Sequence, residues 1–482
     1  MAAASIANAA VSTSRARLYV AVTLGIYGLG LVVMHLPGGS VPGRMLVSLA
    51  LLLSITVAPP EFALGALGCA FLAATTRDLW PWFESLRWLY LAGVAFVLTL
   101  RLSSLRKGRT LPIPNRFAFL MALFVGFSLA SLTVTPAIGL SALKLGALVV
   151  LFYAASRGGV YLVELYGPDS PRRLAQGLLA YLLPLVVLSA LSFWSGSSVT
   201  LGSFGRYAGY FGHPNGCAVL LVTLLPWAVC GLFRRRRLDR RALPLLAGVL
   251  GIVYFLLLTV ARASILGMIA MVAVFCLLHA SRRIGVIAAI AAVFFTARLL
   301  VQPDLLDELA FRYLYKHRTQ VDVFQSREQP WAQSKRSFER RPWLGFGFGV
   351  TTESSADWSI GFRTVSHNVE TGSSFWFCLN QVGVVGSAPL FLAVLLLLAR
   401  AARFARRVKD PWFTAIFASC LALVINACFE GWLIAPGGFP ATYFWIQAFF
   451  LSALMCRFRP APTRRPVLET HAGSRQWAHG LG

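Results

Sequence analysis

The sequence contains few charged residues, and acidic residues are the scarcest of them. Charged side chains make up 13% of its 482 residues, with 18 Asp and Glu against 44 Lys and Arg. A soluble domain of this length needs many more charges to solvate its surface. Hydrophobic residues make up 57%, and the mean hydropathy is +0.69. This composition excludes a soluble globular protein and indicates a membrane protein.

Several chemical signatures are also missing. The eight cysteines form no CxxC pair and no Cys/His cluster, so the sequence predicts neither a zinc site nor a disulfide framework. The sequence contains no P-loop, no GxSxG motif and no DxD-type carboxylate pair outside the apolar runs. We therefore predict a reaction that uses no metal and no cofactor.

Apolar runs long enough to cross the hydrocarbon layer recur along the chain, as in 242–260 and 383–399. About fourteen spans can be assigned, or about twelve if 44–58 and 61–75 form one re-entrant pair. The predicted fold class is all-α. It is a polytopic integral membrane helical bundle of about 12–14 transmembrane helices, with one large periplasmic loop containing short helices.

The net charge of +26 collects in short loops between the predicted spans. The basic clusters are Arg101–Arg116, RRRRLDRR at 234–241, SRR at 281–283, Arg400–Lys409 and Arg457–Arg465. Short Lys/Arg-rich loops mark the cytoplasmic side. The distribution favours topology anchors that face anionic lipid over nucleic-acid binding, and it predicts cytoplasmic N- and C-termini.

The predicted organisation has five parts. They are a cytoplasmic N-terminus (1–17), a transmembrane bundle (18–302), a large periplasmic loop (303–372), C-terminal transmembrane helices (373–456) and a basic cytoplasmic tail (457–482). The large loop has nine basic and nine acidic residues, half of all the acidic residues in the chain. Loops of this length usually carry function.

Two stretches of the large loop, 306–318 and 331–341, have helical character, and Pro342 is predicted to end the second. The GFGFG segment at 345–349 predicts a flexible turn.

Polar features fall on the outer side of this topology. Arg206 lies in a glycine- and aromatic-rich loop where it could hold a phosphate, and Asn215 follows Pro214 in the first turn of the next span. Arg262 stands alone between two apolar runs, a costly position that indicates function. The alternatives are an ordinary interfacial loop for the first two residues and a snorkelling side chain for Arg262.

His367 and Glu430 complete the set. His367 ends the large loop just before a span, where it could take a proton from a sugar hydroxyl, although a lone histidine is more often structural. Glu430 is predicted inside a span at 412–434, near its outer end, where it could pair with an arginine or pack between helices. Arginines with a histidine and few carboxylates suit a lipid-borne diphosphate, whose departure needs charge stabilisation and a base.

Four ordered blocks carry a resemblance to a known family. They are FGHPNGCA (211–218), TVARASILG (259–267), ERRPWLGFGFG (339–349) and SHN followed by QVGVVG (366–368 and 381–386). Through these blocks the sequence resembles the bacterial O-antigen ligase and polysaccharide polymerase superfamily. The resemblance implies a metal-independent GT-C type glycosyltransferase in the bacterial inner membrane, with a periplasmic active site and an undecaprenyl-diphosphate-linked glycan as donor.

The resemblance also implies roles for individual residues. His367 matches the histidine of an HN-type motif, proposed as the base or acceptor-positioning residue, with Asn368 beside it. Arg262 matches an arginine at the membrane edge that is thought to contact the diphosphate. Arg206 and Asn215 fall in the loop before the Pro-Asn block. Two arginines of the large loop, Arg318 and Arg327, are further candidates for substrate binding.

The family has two main outcomes, ligation of finished polymer to lipid A-core and polymerisation of lipid-linked repeat units. The HN motif continues here as Val369-Glu370-Thr371 instead of the usual Tyr/Leu pattern, which favours a polymerase for a surface or exported polysaccharide. Membrane lipid and export or chain-length machinery are the other partners expected, and nucleic acid is not. A transporter of lipid-linked glycan is the rival class, but it needs charges deep inside several spans.

Overall fold

The computed structural model describes residues 2–35, 39–76, 79–105, 115–196, 201–202, 205–233, 243–279, 325–350 and 372–458. Regular structure in these ranges is helical, apart from an isolated bridge between Leu201 and Tyr207. The helices are α1 Ala2–Val33, α2 Ser40–Thr56, α3 Pro60–Ala73, α4 Trp80–Leu105, α5 Arg116–Ala130, α6 Ile138–Tyr166, α7 Ser170–Trp194, α8 Pro214–Phe233, α9 Leu243–Leu258, α10 Arg262–Leu278, α11 Gln325–Arg340, α12 Ser374–Val408, α13 Pro411–Ala427 and α14 Phe439–Arg457. The all-α prediction is confirmed.

Seven helical segments within the described ranges are long and apolar enough to cross a membrane, one of them comprising both α6 and α7. Five shorter apolar helices accompany them, namely α2, α3, α9, α10 and α13. Large apolar side chains on the spans remain exposed, Phe96 at 65% and Leu395 at 64%. Such faces suit contact with lipid. The chain is a polytopic helical membrane protein; its predicted span at 284–302 lies outside the described residues.

Small residues let the central helices approach closely. A Cβ at Gly65 of α3 would collide with the backbone of Gly177 in α7. A Cβ at Gly159 of α6 would lie 2.9 Å from the Cα of Phe450 in α14. Between membrane helices, where lipid is as apolar as the protein, close packing of this kind drives association.

The two ends of α12 lie in different surroundings. Arg400 and Arg403, near its C-terminal end, line one cleft with Arg116 at the start of α5. At its N-terminal end, the Ser374 hydroxyl donates to the carbonyl of Glu430 at 2.7 Å. Three arginines from two of the predicted cytoplasmic clusters therefore lie at one end of this helix, and Glu430 lies at the other.

The GFGFG segment, residues 345–349, is buried in the bundle. Phe346 and Phe348 are almost fully inaccessible. The N–H of Gly349 donates to Oε1 of Gln381 in α12 at 2.7 Å. The three glycines have φ between +66° and +100°, a conformation in which a side chain would be strained. The segment is a turn, as predicted, but it is packed instead of flexible, because these glycines serve close packing.

A break in α12 receives this segment. Gly383 has φ +62° and ψ −169°, and a Cβ there would collide with the carbonyl of Trp343. The next N–H, of Val384, donates to the carbonyl of Pro342 at 2.8 Å. On the other side, Lys144 of α6 donates to the carbonyl of Gly349 at 3.0 Å. The chain that follows α11 is thus fixed between α6 and α12.

Helix α11 packs against the beginning of α12. The Trp331 indole N–H donates to the carbonyl of Gly372 at 3.1 Å, and the rings of Phe338 and Trp376 meet edge to face with centroids 6.1 Å apart. The helix predicted at 331–341 is present, but it begins six residues earlier and ends at Arg340. This packing sets the position of the first turn of α11.

Candidate functional site

The turn between α9 and α10 holds Arg206. Its Nε donates to the carbonyl of Thr259 at 2.8 Å, and its Nη2 reaches the carbonyl of Val260 at 3.4 Å. Val260 has φ +52°, a left-handed conformation that is costly for a β-branched residue. Arg262 follows as the first residue of α10 and interacts electrostatically with Arg206. One strained turn therefore brings two predicted arginines together.

Asn215 links Arg206 to Glu430. Nη2 of Arg206 donates to Oδ1 of Asn215 at 3.2 Å, and Nδ2 of Asn215 donates to Oε1 of Glu430 at 2.9 Å. Asn215 follows Pro214, which opens α8 as predicted. Glu430 lies in the loop after α13, which ends at Ala427, so its predicted position inside a span is wrong.

Arg327 reaches the same carboxylate from α11. Its Nη2 donates to Oε1 of Glu430 at 2.5 Å, and the two side chains are 20% and 17% exposed. One carboxylate oxygen therefore accepts hydrogen bonds from both Arg327 and Asn215. Charge-assisted bonds of this kind are stronger than neutral ones.

These residues form one group, which we call the arginine cluster: Arg206, Arg262, Arg327, Asn215 and Glu430. Burial lowers the pKa of Arg206, the charge of Arg262 lowers it further, and Glu430 raises it. The positive charge of Arg327 in turn interacts electrostatically with that of Arg262. Guanidinium groups stay protonated despite such shifts, so the cluster contains three cations and one carboxylate. An excess of positive charge in a half-buried site favours an anionic ligand.

A second layer of hydrogen bonds fixes the loop that carries Glu430. The Ser374 hydroxyl, which donates to the Glu430 carbonyl, accepts the N–H of Trp432 at 3.0 Å. The Trp432 indole donates to Oδ1 of Asn426 at 2.8 Å, and Nδ2 of Asn426 donates to the Ser264 hydroxyl at 3.1 Å. This layer is not predicted by the sequence. The signal that could have revealed it is Asn426, a polar residue inside the apolar α13.

Three predicted site residues, His367, Asn368 and Arg318, lie outside the described residues. The described chain resumes at Gly372, where a Cβ would lie 3.2 Å from Cδ of Arg327. The chain that follows His367 and Asn368 therefore returns to the structure directly beside the arginine cluster.

Residues 246–386 match a family model described as O-antigen ligase. This match supports the O-antigen ligase and polysaccharide polymerase superfamily to which the sequence is similar. The matched segment includes Arg262, Arg327 and 366–368, whereas Asn215 and Glu430 lie outside it. The latter two join the segment through the hydrogen bonds described above. No curated protein matches the chain.

The matched family implies a membrane glycosyltransferase-like ligase or polymerase that acts on lipid-linked glycans. This agrees with the charge of the arginine cluster, since lipid-linked glycans are carried on phosphate groups.

Proposed function

We propose that this protein is an inner-membrane glycosyltransferase that transfers or polymerises undecaprenyl-diphosphate-linked oligosaccharide at the periplasmic face, in surface polysaccharide or exopolysaccharide biosynthesis. The observation that carries the proposal is the arginine cluster, which brings three guanidinium groups together with a single carboxylate. Guanidinium forks bind phosphate oxygens without a metal. The half-buried setting at helix ends suits a diphosphate that is carried on a lipid.

The chemistry is a single displacement at the anomeric carbon. The acceptor hydroxyl forms the new C–O bond while the bond from the anomeric carbon to the diphosphate breaks, and its electron pair remains on the diphosphate. The arginine cluster stabilises this growing negative charge. The hydroxyl proton passes to a base, which we assign to His367, with Asn368 beside it to orient the acceptor. We expect inversion at the anomeric carbon.

Covalent distance supports this assignment of the base. Gly372 contacts Arg327, and His367 precedes it by five residues. Five residues of extended chain span at most about 18 Å. A base at position 367 is therefore within reach of the arginine cluster. Arg318 remains a further candidate for phosphate binding.

The proposal is tested with two variants in cells that lack the native gene. We expect His367→Ala and Arg262→Ala each to abolish glycan transfer, because the first removes the base and the second removes a phosphate ligand. Glycan analysis reports activity, and immunoblots of membranes report insertion. Arg340→Ala, which removes an exposed arginine of α11, is the control and should remain active. Full activity of either site variant would contradict its assigned role.

The deletion strain separates the two reactions of the superfamily. Loss of all long chains with retained single-repeat capping identifies a polymerase, which the Val369-Glu370-Thr371 sequence favours. Long chains that accumulate on the lipid carrier identify a ligase that attaches polymer to lipid A-core. Unchanged glycans on both the carrier and the surface would contradict the proposal as a whole.

A further inference from the structure

We propose that Glu430 is a product-release residue, whose carboxylate competes with the leaving diphosphate for Arg327. This inference rests on the proposed function. Glu430 Oε1 accepts Nη2 of Arg327 at 2.5 Å and Nδ2 of Asn215 at 2.9 Å. The carboxylate therefore already occupies one guanidinium nitrogen, Nη2 of Arg327, that a diphosphate would use. For that diphosphate to bind Arg327 fully, the ion pair with Glu430 has to open.

The charge of the leaving group explains why such a competitor is useful. A donor diphosphate, esterified at both ends, has roughly two negative charges, and the polyprenyl diphosphate that leaves has roughly three near neutral pH. Three guanidinium groups and one carboxylate leave the arginine cluster with two excess positive charges. With Glu430 ionised, the excess positive charge of the cluster equals the negative charge of the donor diphosphate. Without the charge of Glu430, the excess would equal the charge of the product, which would then bind more tightly and leave more slowly.

Glu430 can act in this way without disturbing its loop. The backbone is held separately, because the Ser374 hydroxyl donates to the Glu430 carbonyl at 2.7 Å and accepts the N–H of Trp432 at 3.0 Å. The side chain is 17% exposed, so water can reach the carboxylate when the ion pair with Arg327 opens. Glu430→Gln keeps an oxygen that can accept from Asn215 and removes only the charge.

Titration calorimetry on the purified full-length protein in detergent tests the inference. The ligands are farnesyl diphosphate, inorganic pyrophosphate and farnesyl monophosphate. We expect Glu430→Gln to bind both diphosphates about tenfold more tightly than wild type, and the monophosphate with a smaller change. A gain for farnesyl diphosphate alone would show that the lipid tail is also required. The matched control is Glu339→Gln, which removes an exposed carboxylate near the other end of α11 and should leave all affinities unchanged.

Removal of Arg327 separates competition from a general effect of charge. In an Arg327→Gln background, Glu430→Gln should no longer tighten diphosphate binding. Equal affinities of wild type and Glu430→Gln would overturn the inference, and so would a tightening that persists without Arg327.

Turnover adds a readout that a purely structural role would not change. Glu430→Gln should retain a rapid first turnover and slow the following ones, because release becomes limiting. A slow first turnover with unchanged diphosphate affinity would overturn the inference. If wild type binds none of the three ligands, the arginine cluster is not an anion-binding site, and the proposed function is contradicted as well. Binding by wild type without tightening in Glu430→Gln would overturn the product-release role alone.

Discussion

Asn215 connects Arg206 to Glu430 in the arginine cluster. It accepts from Arg206 at 3.2 Å and donates to Glu430 at 2.9 Å. Asn215→Asp replaces the donor by a second carboxylate, which repels Glu430 and lowers the net charge of the cluster. Since hydrogen bonds to charged groups contribute about 1.5–3 kcal/mol, we expect glycan transfer to fall by about tenfold or more. Rates measured on membranes with a lipid-linked donor check this.

Asn115→Asp is the matched control for that substitution. Asn115 caps α5, where its Oδ1 accepts the N–H of Ala118 at 2.7 Å, and aspartate caps helices equally well. This variant should transfer glycan at the wild-type rate. If the two variants lose activity equally, Asn215 has no special role in the arginine cluster.

Single residues differ in how far the sequence could identify them. Arg262 is conspicuous because it stands alone between apolar runs, and Glu430 is conspicuous for a similar reason. Arg327 is one of nine basic residues in the large loop, and the sequence names it only as one of two candidates, beside Arg318. It meets Glu430 across 103 residues of chain through the packing of α11 on α12. Such a pair depends on tertiary structure and cannot be read from local pattern.

At the scale of elements, Gly383 is the position where the chain that follows α11 packs closely against the backbone of α12. We expect Gly383→Ala to destabilise the protein by about 1–3 kcal/mol, because a Cβ collides with the Trp343 carbonyl and alanine is strained at positive φ. Thermal unfolding in detergent measures the loss. Gly126→Ala in α5 is the control, since a Cβ there meets nothing within 4 Å. A Gly383→Ala melting temperature equal to that of Gly126→Ala would contradict the close contact.

The GFGFG segment shows why the sequence mispredicts some elements. A glycine-rich stretch after a helix looks the same whether the glycines serve mobility or close approach of two backbones. The residues that decide between the two are distant in sequence. They are Lys144 and Gln381, whose side chains form hydrogen bonds with the backbone of Gly349. Helix boundaries set by local signals were predicted better, as with Pro214 at the start of α8.

For the whole molecule, composition and hydropathy were sufficient to predict the class of fold. Composition and hydropathy are sums over long segments, and the class of fold depends on such sums more than on any individual contact. Composition and hydropathy were not sufficient to predict the site, because the arginine cluster is built from several distant segments. They are α8, α10, α11, the loop after α13 and the loop before α8. The sequence predicted all five of its members from membrane depth, charge and family resemblance. It could not predict that Glu430 binds both Arg327 and Asn215.

The orientation of α12 gives a prediction for the entire chain. The continuous part of this helix after the break at Gly383, residues 384–408, has 25 residues, so it is about 38 Å long against a hydrocarbon core of about 30 Å. The N-terminal end of α12 lies beside the arginine cluster and its C-terminal end carries Arg406 and Arg407. The two ends must therefore reach opposite sides of the membrane. If the active site is periplasmic, residues near Arg340 are periplasmic and Arg407 is cytoplasmic.

Cysteine labelling tests this orientation directly. Arg340→Cys and Arg407→Cys are both exposed positions, and the native cysteines are buried or half-buried, so unsubstituted protein gives the background. In cells with a permeabilised outer membrane, an impermeant maleimide should label position 340 at once and position 407 only after the inner membrane is disrupted. Labelling in the reverse order would place the arginine cluster in the cytoplasm, where a glycan that has already crossed the membrane on its lipid carrier could not reach it. The orientation of this single helix therefore decides whether the proposed donor can meet the proposed site.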